Sequence, residues 1–325
     1  MVQFKSTVME PSITSVVETE MPAESYFEDY LSFPFSDRRV LDRRVSDRRV
    51  SDRRVSGRRA SDRIQINDSN MKKLTIIIPC HNEEKGIGKV IEGVPYDKLA
   101  QLDYQTEIIV INNNSSDQTI KVALEKGAKV VSEKKQGKGN ALKTGFKNIS
   151  PDTDYVVMLD GDNTYKSKEI PRLLEPLEND FCDIVIGSRL EGKLNGDSLS
   201  FSHRVANWFF TFLVRRFYFV NTTDICTGYF AWKKKVVDEL SPYIKSDGFA
   251  IEAEMITKMA KLGYKIFSVP ITYDRREGNS KLSPYLDGIK ITWMLLKNLV
   301  WKPEKKTIKN LVTANNLVCS NASKV

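Results

Sequence analysis

One stretch decides the fold of this chain: Tyr155-Val156-Val157-Met158-Leu159-Asp160-Gly161-Asp162. Its apolar part predicts a buried strand, and residues two apart in an extended chain point the same way, so both carboxylates can converge beyond the strand end. Ligands of open α/β sheets bind at that edge. Mg²⁺ and Mn²⁺ are commonly held by one or two carboxylates plus the phosphate oxygens of a substrate. The stretch therefore predicts a site for a phosphate and for Mg²⁺ or Mn²⁺, with Asp160 and Asp162 as metal ligands; the alternative is a polar turn.

The rest of the chain alternates short apolar runs with helical segments. We predict strands at residues 74–78, 107–111, 128–131, 155–159 and 183–186. Between them, helices are predicted at residues 83–92, 117–126, 140–148 and 168–178. Longer helices are predicted at residues 202–220, 251–262 and 284–300, with a strand at 265–269. Strands that alternate with helices imply an α/β fold with a mostly parallel sheet covered on both faces. The second half is expected to build the site of a second substrate.

The composition indicates one ordered domain with two tails. The chain has 325 residues, of which 41% are hydrophobic, and order is expected over residues 71–303, followed by a polar tail at 304–325. From Ser36 the pentapeptide Ser-Asp-Arg-Arg-Val repeats, and its period of five matches neither helix nor strand. Residues 1–70 are therefore predicted to form a disordered arm. One interpretation of the repeat is adhesion to anionic lipid headgroups; its interspersed aspartates favour the other, a solvated low-complexity tail.

Cysteine, histidine and hydropathy patterns limit the functional classes. Four cysteines without Cys-x-x-Cys spacing, and no N-terminal signal peptide, indicate a reducing cytoplasm. With two histidines, a zinc site of the ordinary type is not expected. The sequence has no uninterrupted apolar window of about 18 residues, so no transmembrane helix is expected. No nucleic-acid partner is expected either.

Polar residues gather where the predicted strands end. The first strand runs into Pro79-Cys80-His81-Asn82-Glu83-Glu84, and the second ends in amides that include Asn113. Gln136-Gly137-Lys138-Gly139-Asn140 then opens a helix, where backbone amides beside a lysine can accept anionic groups. These segments predict a nucleotide pocket, which is compatible with helix capping by Asn82 and Asp117. The Gly-x-x-x-x-Gly-Lys-Ser/Thr spacing of a P-loop is absent.

In this order and spacing, the motifs resemble the family 2 glycosyltransferases with the GT-A fold, from about residue 73 to about residue 303. The segment from Ile77 to Glu84 is similar to the opening nucleotide-binding strand of the family. Gly137-Lys138-Gly139-Asn140-Ala141 is similar to its Gly-Lys-Gly loop, and Asp160-Gly161-Asp162 to its metal-binding DxD. Further segments resemble the polyprenyl (dolichyl) phosphate sugar synthases: Gly187-Ser188-Arg189, His203-Arg204, residues 224–228 and Glu277-Gly278-Asn279-Ser280-Lys281-Leu282.

The resemblance implies an inverting, metal-dependent transfer of a sugar from a nucleoside diphosphate sugar to polyprenyl phosphate. The residues then expected to bind the donor are Pro79, His81, Glu83, Asn113, Lys138, Asp160, Arg276 and Ser280. Those expected to act in the transfer are Asp162, Arg189, Arg204 and Lys281. A phosphate acceptor is already anionic, so it needs positioning by cations rather than a general base. Residues 208–220 and 289–301 would lie in the interface of a membrane, to which the protein binds peripherally from its cytoplasmic face; the alternative is that they are core helices.

Other hypotheses stay open. Asn112-Asn113 stands where the family often has Asp-Asp or Asp-Asn, and Thr164 stands where mannose-transferring relatives often have glutamine. A UDP-sugar and a GDP-sugar are therefore both candidate donors. Glu252 or Glu254 could be a base for a hydroxyl acceptor, orient the sugar or cap a helix, so a transferase acting on a soluble hydroxyl compound or a polysaccharide is the second hypothesis. A non-catalytic nucleotide-sugar sensor or membrane scaffold is the third.

Overall fold

The computed structural model of the protein describes residues 71–196, 198–276 and 284–304. The predicted N-terminal arm, almost all of the C-terminal tail, and the two predicted site residues Ser280 and Lys281 lie outside this range. In the described residues, seven strands form one sheet. The strands are β1 (Lys72–Cys80), β2 (Tyr104–Asn112), β3 (Lys129–Ser132), β4 (Tyr155–Met158), β5 (Ile184–Leu194), β6 (Phe230–Lys233) and β7 (Ile266–Tyr273).

Helices connect these strands, and most of them match the predicted segments. The helices are α1 (Ile87–Glu92), α2 (Tyr96–Gln101), α3 (Thr119–Glu125), α4 (Lys138–Lys147), α5 (Ile170–Glu178), α6 (Phe201–Tyr218), α7 (Lys234–Leu240), α8 (Ile251–Lys261) and α9 (Pro284–Val300). The sequence patterns did not predict α2 and α7, which have six and seven residues. Two turns of helix are too few to establish a 3.6-residue apolar period.

The sheet is mostly parallel, as predicted. Its strand order is β3-β2-β1-β4-β6-β5-β7. Strand β6 runs antiparallel to both neighbours, β4 and β5, whereas the other paired strands run parallel. Strand β6 was not predicted, because four residues show too little alternation to identify a strand. Its Trp232 is fully buried and stacks on Phe230. The strand therefore joins the first half of the sheet to the second.

Helices cover both faces of the sheet, and alternate strand residues point to opposite layers. In β1, Ile77 belongs to the layer under α4, α6, α7, α8 and α9, whereas Ile76 and Ile78 belong to the layer under α1, α2, α3 and α5. This alternation follows from the two-residue period of a strand. Because both faces are buried, β1 reads as a continuous apolar run.

The structure corrects one predicted helix start. The helix predicted at residues 83–92 begins at Ile87, so Asn82 is not its N-cap. Asn82 instead adopts a left-handed backbone with φ of 52°. The next two backbone amides are already bound, because Glu83 donates to the hydroxyl of Thr119 and Glu84 donates to a carboxylate oxygen of Asp117. These bonds tie the end of β1 to the start of α3, so the polar segment remains a loop.

Candidate active site

A cavity of about 470 Å³ lies at the carboxyl ends of β1, β2 and β4. Its volume is in the range of small-molecule sites. Seven residues predicted to bind the donor line it: Pro79, His81, Glu83, Asn113, Lys138, Asp160 and Arg276. Gln136, from the predicted Gly-Lys-Gly segment, also lines the cavity, as do Gly248 and Phe249, which the sequence analysis did not assign to it. Gly248 and Phe249 belong to a connection without strand or helix periodicity, so no local pattern marked them.

Tight turns direct these polar groups into the cavity. An asparagine with a left-handed backbone follows each of the three strands: Asn82, Asn114 and Asn163, with φ of 52°, 60° and 62°. Asparagine tolerates this region better than most residues with a side chain. Glycines permit close packing where the segments meet. A Cβ at Gly228 would lie 2.5 Å from Oδ2 of Asp160, so a larger residue there would displace the carboxylate.

The two carboxylates of the Asp-Gly-Asp motif each have a cationic partner. Nζ of Lys138 lies 2.6 Å from Oδ1 of Asp160. Asp162 is buried; its Oδ1 accepts hydrogen bonds from the backbone N–H and the hydroxyl of Thr164, and its Oδ2 forms an ion pair with Arg276. Burial opposes the charge of Arg276, but Asp162, Asp160 and Glu83 outweigh it and hold the pKa of the guanidinium above its ordinary value.

Lys138 also contacts a second carboxylate. Its Nζ lies 2.7 Å from Oε1 of Glu252, in the first turn of α8. Burial lowers the pKa of Lys138, but the negative charges of Asp160 and Glu252 together raise it by a larger amount. The pKa of Lys138 therefore lies above its ordinary value. Burial raises the pKa of Glu252, although Lys138 opposes this effect. Lys138 is therefore a charged ammonium shared between two carboxylates at the inner wall of the cavity.

Glu254, the other glutamate considered as a base, stabilises the fold. Glu254 is almost completely buried and accepts hydrogen bonds from the backbone N–H groups of Lys245 and Ser246. It also forms an ion pair with Lys258, whose Nζ lies 2.5 Å from its Oε1. These contacts attach the connection before α8 to the helix, so Glu252 is the glutamate of this pair that faces the cavity residues.

The carboxylate oxygens at this site fit a divalent cation that is bound together with a phosphate. The described part of the chain contains no cluster of three or more histidine, cysteine, aspartate or glutamate side chains that could hold a metal ion. Mg²⁺ and Mn²⁺ need no such cluster, because one or two carboxylates plus phosphate and water oxygens can complete their shell. Asp160 and Asp162 would provide those carboxylates. With Glu83 and Glu252 nearby, the acids outnumber the two cations Lys138 and Arg276, so the charge balance favours a dication.

Asn113 holds a loop together rather than presenting a free amide. Its Nδ2 donates to the carbonyl oxygens of Glu133 and Lys135, and its Oδ1 accepts from the N–H of Gly137. Asn113 lines the cavity, but its side-chain amide is already bound to the backbone of residues 133–137. The backbone carbonyl of Asn113 pairs with Nδ1 of His81 at 2.8 Å, so Nδ1 carries the proton, and Nε2 accepts from the side chain of Gln136.

The Gly-Lys-Gly loop also differs from its predicted use. The N–H groups of Gly139 and Asn140 both donate to the carbonyl oxygen of Asp247, at 2.9 and 3.3 Å. These two amides are therefore not the anion acceptors that the sequence suggested. A Cβ at Gly137 or Gly139 would collide with the backbone of residues 246–247. The glycines thus allow the connection before α8 to pack against the start of α4.

Arg189 is buried in a network with Asp224. Its Nε and Nη2 donate to the two carboxylate oxygens at 2.8 and 2.9 Å, and its guanidinium lies over the ring of Tyr273. Asn207, on the inner face of α6, donates to the same carboxylate at 2.7 Å. The Nη1 group of Arg189 has no hydrogen-bond partner among the described residues. Arg204 is exposed in the first turn of α6, one turn before Asn207.

Helices α6 and α9 expose an apolar face on the outside of the molecule. The large exposed apolar residues of α6 are Phe201, Val205, Trp208, Phe209, Phe212 and Phe217. Those of α9 are Ile289, Trp293, Leu296 and Val300. A groove between the helices is lined by Phe209, Phe210, Ile289, Trp293 and other residues. We call these exposed side chains the α6–α9 face. No helix in the described residues is both long and apolar enough to span a bilayer.

The strand order and the cavity at the carboxyl ends of the strands are those of a GT-A-like α/β fold. Comparison with known proteins then identifies the family: the pattern of glycosyl transferase family 2 matches residues 75–241. The chain belongs to this family and is a glycosyltransferase.

Relatives of known name support this assignment. The low-salt glycan biosynthesis hexosyltransferase Agl6 of Haloferax volcanii is 32% identical over 69% of this chain, and the chain spans only 53% of that protein. The dolichyl-phosphate hexose transferase of the same organism is 29% identical, over 69% of this chain and 92% of the relative. The undecaprenyl-phosphate mannosyltransferase of Micrococcus luteus is 30% identical, over 67% and 90%.

A solved structure matches the fold. Glucosyl-3-phosphoglycerate synthase from Mycobacterium tuberculosis, in complex with Mn²⁺, UDP and glucosyl-3-phosphoglycerate, superposes with a TM-score of 0.54. The match covers 72% of this chain and 82% of that structure at 21% identity. At this identity, the comparison shows the shared fold alone.

Proposed function

We propose that this glycosyltransferase transfers a hexose from a nucleoside diphosphate sugar to polyprenyl phosphate, with inversion at the anomeric carbon and with the help of Mg²⁺ or Mn²⁺. Helix α6 carries the proposal. Its inner face reaches Arg189 through Asn207 and Asp224, and its outer face exposes aromatic side chains. One helix would therefore link Arg189, the proposed phosphate-binding cation, to a surface suited to a lipid tail. The two relatives named for polyprenyl phosphates support this acceptor.

The cavity would bind the donor. Transfer releases a nucleoside diphosphate, whose growing negative charge must be neutralised. A divalent cation on Asp160 and Asp162 would supply positive charge at the leaving diphosphate. Arg276 and Lys138 line the same cavity and would contribute their own charges. Lys281 and Ser280 are proposed to act with Arg276 on the diphosphate.

The acceptor would bind at Arg189 and Arg204. Asp224 binds Nε and Nη2, which form one edge of the Arg189 guanidinium, and leaves Nη1 for an anion, so the group is oriented before the acceptor arrives. A planar guanidinium is well matched to phosphate oxygens. Because a phosphate monoester is ionised at neutral pH, its oxygen can attack the anomeric carbon without transfer of a proton to the enzyme. The reaction then depends on positioning, which a buried ion network provides.

The α6–α9 face would bind the membrane surface peripherally, on its cytoplasmic side. Its aromatic side chains suit the interfacial region of a bilayer. Exposed basic residues accompany it on both helices, Arg204, Arg215 and Arg216 on α6 and Lys290 and Lys297 on α9. Each basic residue near an anionic lipid surface contributes about 1 kcal/mol to binding.

The test is transfer of radiolabelled sugar from UDP-glucose, UDP-N-acetylglucosamine or GDP-mannose into lipid in the presence of polyprenyl phosphate and Mn²⁺. We expect organic-extractable label that EDTA abolishes and that the Asp162→Asn variant does not produce. Label in a water-soluble product would contradict the lipid acceptor, and label that resists EDTA would contradict the metal. A screen of UDP and GDP by thermal shift selects the base, because a bound ligand raises apparent stability.

A hydroxyl acceptor is the second candidate, and the position of Glu252 near the cavity is the observation that favours it. In that mechanism Glu252 would remove the proton of the hydroxyl group, so Glu252→Gln would abolish transfer, whereas Arg204→Met, which removes an exposed arginine, would have little effect. The opposite pattern is expected for polyprenyl phosphate.

A further inference from the structure

Glu252 contacts the donor site through Lys138. Nζ of Lys138 lies between Oδ1 of Asp160 and Oε1 of Glu252, at 2.6 and 2.7 Å. The side chains of Lys138, Asp160 and Glu252 are 12%, 19% and 8% exposed, so solvent screens the pair of contacts poorly. Glu252 is not among the described residues that line the cavity, whereas Lys138 and Asp160 are. The carboxylate therefore lies behind the ammonium as seen from the donor.

The backbone fixes Lys138 and Glu252 relative to each other. Lys138 is the first residue of α4, and the next two amides of that helix bind the carbonyl oxygen of Asp247. Asp247 belongs to the connection that leads into α8, where Glu252 occupies the first turn. The side chain of Asp247 adds ion pairs with Lys135 and Lys143. Lys138 and Glu252 thus belong to one rigid unit, whereas Asp160 follows a different strand.

A divalent cation on Asp160 would compete with this ammonium. Both cations need the same carboxylate, and like charges at a few ångströms repel each other in a poorly screened site. Without Glu252, Asp160 would be the only described carboxylate at the ammonium, and Lys138 would pair with it fully. With Glu252, the ammonium keeps a partner when the metal takes Asp160.

We propose that Glu252 is a positioning residue: it retains Lys138 beside the donor diphosphate while a divalent cation occupies Asp160, and it thereby sets the affinity for that cation. This inference rests on the proposed donor and metal, and it is independent of the acceptor. It assigns Glu252 a role other than that of a general base. A group that contacts a metal ligand, as Lys138 contacts Asp160, typically changes metal affinity or activity by about 10- to 100-fold, and Glu252 acts through Lys138.

The test is Mn²⁺ affinity, measured from the electron paramagnetic resonance signal of free Mn²⁺ in titrations of the full chain with UDP, and in parallel with GDP. We expect Glu252→Ala to weaken Mn²⁺ binding by about 10- to 100-fold, and Glu252→Gln, which keeps a hydrogen-bond acceptor for Lys138, to weaken it less. In transfer assays the KM for the donor should rise more than kcat falls. Glu175→Gln, the same change on an exposed side chain of α5, is the matched control.

A double-mutant cycle isolates the route through Lys138. In a Lys138→Met background the ammonium no longer competes for Asp160, so Glu252→Gln should change Mn²⁺ affinity by a smaller factor than in the wild type. Equal factors in the two backgrounds would overturn the inference. So would Mn²⁺ affinity within about twofold of wild type in both Glu252 variants, and a large loss of kcat in that case would identify a base.

Folding and acceptor identity are separated from this result. Thermal unfolding identifies any variant that fails to fold. If Glu252→Ala is unfolded, the inference is tested by the Mn²⁺ affinity of Glu252→Gln, because glutamine has nearly the shape of glutamate. If Glu252→Gln is also unfolded, Mn²⁺ affinity is compared between Lys138→Met and the Lys138→Met/Glu252→Gln double variant. A large loss of affinity in the double variant would overturn the inference, because the ammonium is absent from both. Failure of the lipid-acceptor proposal would appear as wild-type enzyme that forms no labelled lipid, and it would leave the Mn²⁺ titrations unaffected.

Discussion

The half of the molecule built around β1 to β4 and the half that follows β5 use apolar residues differently. In the first half, large exposed apolar side chains are few and scattered, among them Tyr96, Leu102 and Leu124. In the second half they concentrate on two adjacent helices as the α6–α9 face. The polar groups are distributed in the opposite way, because the first half gathers them in a cavity. One half thus contains a cavity with charged walls, and the other carries a broad exposed apolar surface.

The largest expected effect tests the network that holds α6, in the second half, to β5. Asp224→Asn removes the counter-charge of the buried Arg189 guanidinium, and breaking a buried ion pair in this way costs about 3–5 kcal/mol. We expect urea unfolding to show that loss of stability. The Arg189→Met/Asp224→Leu double variant should recover only part of the stability. An apolar pair can replace a buried ion pair, but the backbone N–H groups of Arg189 and Cys226 and the amide of Asn207 lose the acceptor that Asp224 provides. The double variant should not recover transfer to lipid. Unchanged stability of Asp224→Asn would show that the network does not hold α6 to the sheet.

The next effect tests the first half alone. Asp160→Asn should lower the rate of transfer by about a hundred- to a thousandfold, because a group that stabilises the leaving charge is lost. Binding of vesicles should be unchanged, since the α6–α9 face is intact. Asp180→Asn, on an exposed turn, is the control. Parallel loss of vesicle binding and transfer would mean that the two halves do not act separately.

A smaller effect tests packing against the metal ligand. Gly228→Ala would place a Cβ 2.5 Å from Oδ2 of Asp160, so the carboxylate must move. We expect transfer and Mn²⁺ affinity to fall by about 10- to 100-fold. Gly288→Ala in α9 is the control, because its nearest neighbour would be 4.0 Å away. Wild-type Mn²⁺ affinity in Gly228→Ala would show that Asp160 does not bind the metal.

The fourth effect tests the second half alone. Trp293 is 66% exposed in α9, so Trp293→Glu should change the free energy of unfolding by at most about 0.5 kcal/mol. Binding to anionic vesicles, measured by cosedimentation, should weaken by about tenfold, because the variant lacks an aromatic side chain that would be buried in the lipid. Leu124→Glu, on the exposed side of α3, provides the matched control. Equal vesicle binding by both variants would argue against a membrane role for the α6–α9 face.

The smallest effect tests the contact between α4 and the connection before α8. Hydrogen bonds from Lys135 and Lys143 hold the pKa of Asp247 below its ordinary value of 3.8. The stabilisation is therefore present above that value and is lost as the pH falls through the pKa of the folded state. Because the carboxylate is half exposed, Asp247→Asn should cost at most about 1 kcal/mol at pH 7 in urea unfolding. The difference from wild type should shrink as the pH falls below 3.8 and vanish once Asp247 is protonated in the folded state. A difference that persists at lower pH would assign the effect to the backbone carbonyl of Asp247, which binds the N–H groups of Gly139 and Asn140, rather than to its charge.

Much of the fold follows from local patterns. Apolar runs such as residues 74–78 and 155–159 need burial wherever they lie, and they became β1 and β4. Strand β6 escaped prediction because its four residues acquire their identity from β4 and β5 on either side. Asn82 was interpreted as a helix cap, but contacts with residues some 33 positions away hold it in a loop.

The candidate site shows the same division. The sequence by itself determined that Asp160 and Asp162 follow a buried strand, because strand geometry and the sheet edge depend on neighbouring residues alone. Folding brought these groups to their partners: Lys138 to Asp160, Glu252 to Lys138, Arg276 to Asp162, and Asp224 to Arg189. Charges attract over distances that the chain spans only when it is folded, so residues far apart in sequence set the electrostatics of the site. Only the packed structure could therefore distinguish Glu252, which faces the cavity residues, from Glu254, which holds a loop.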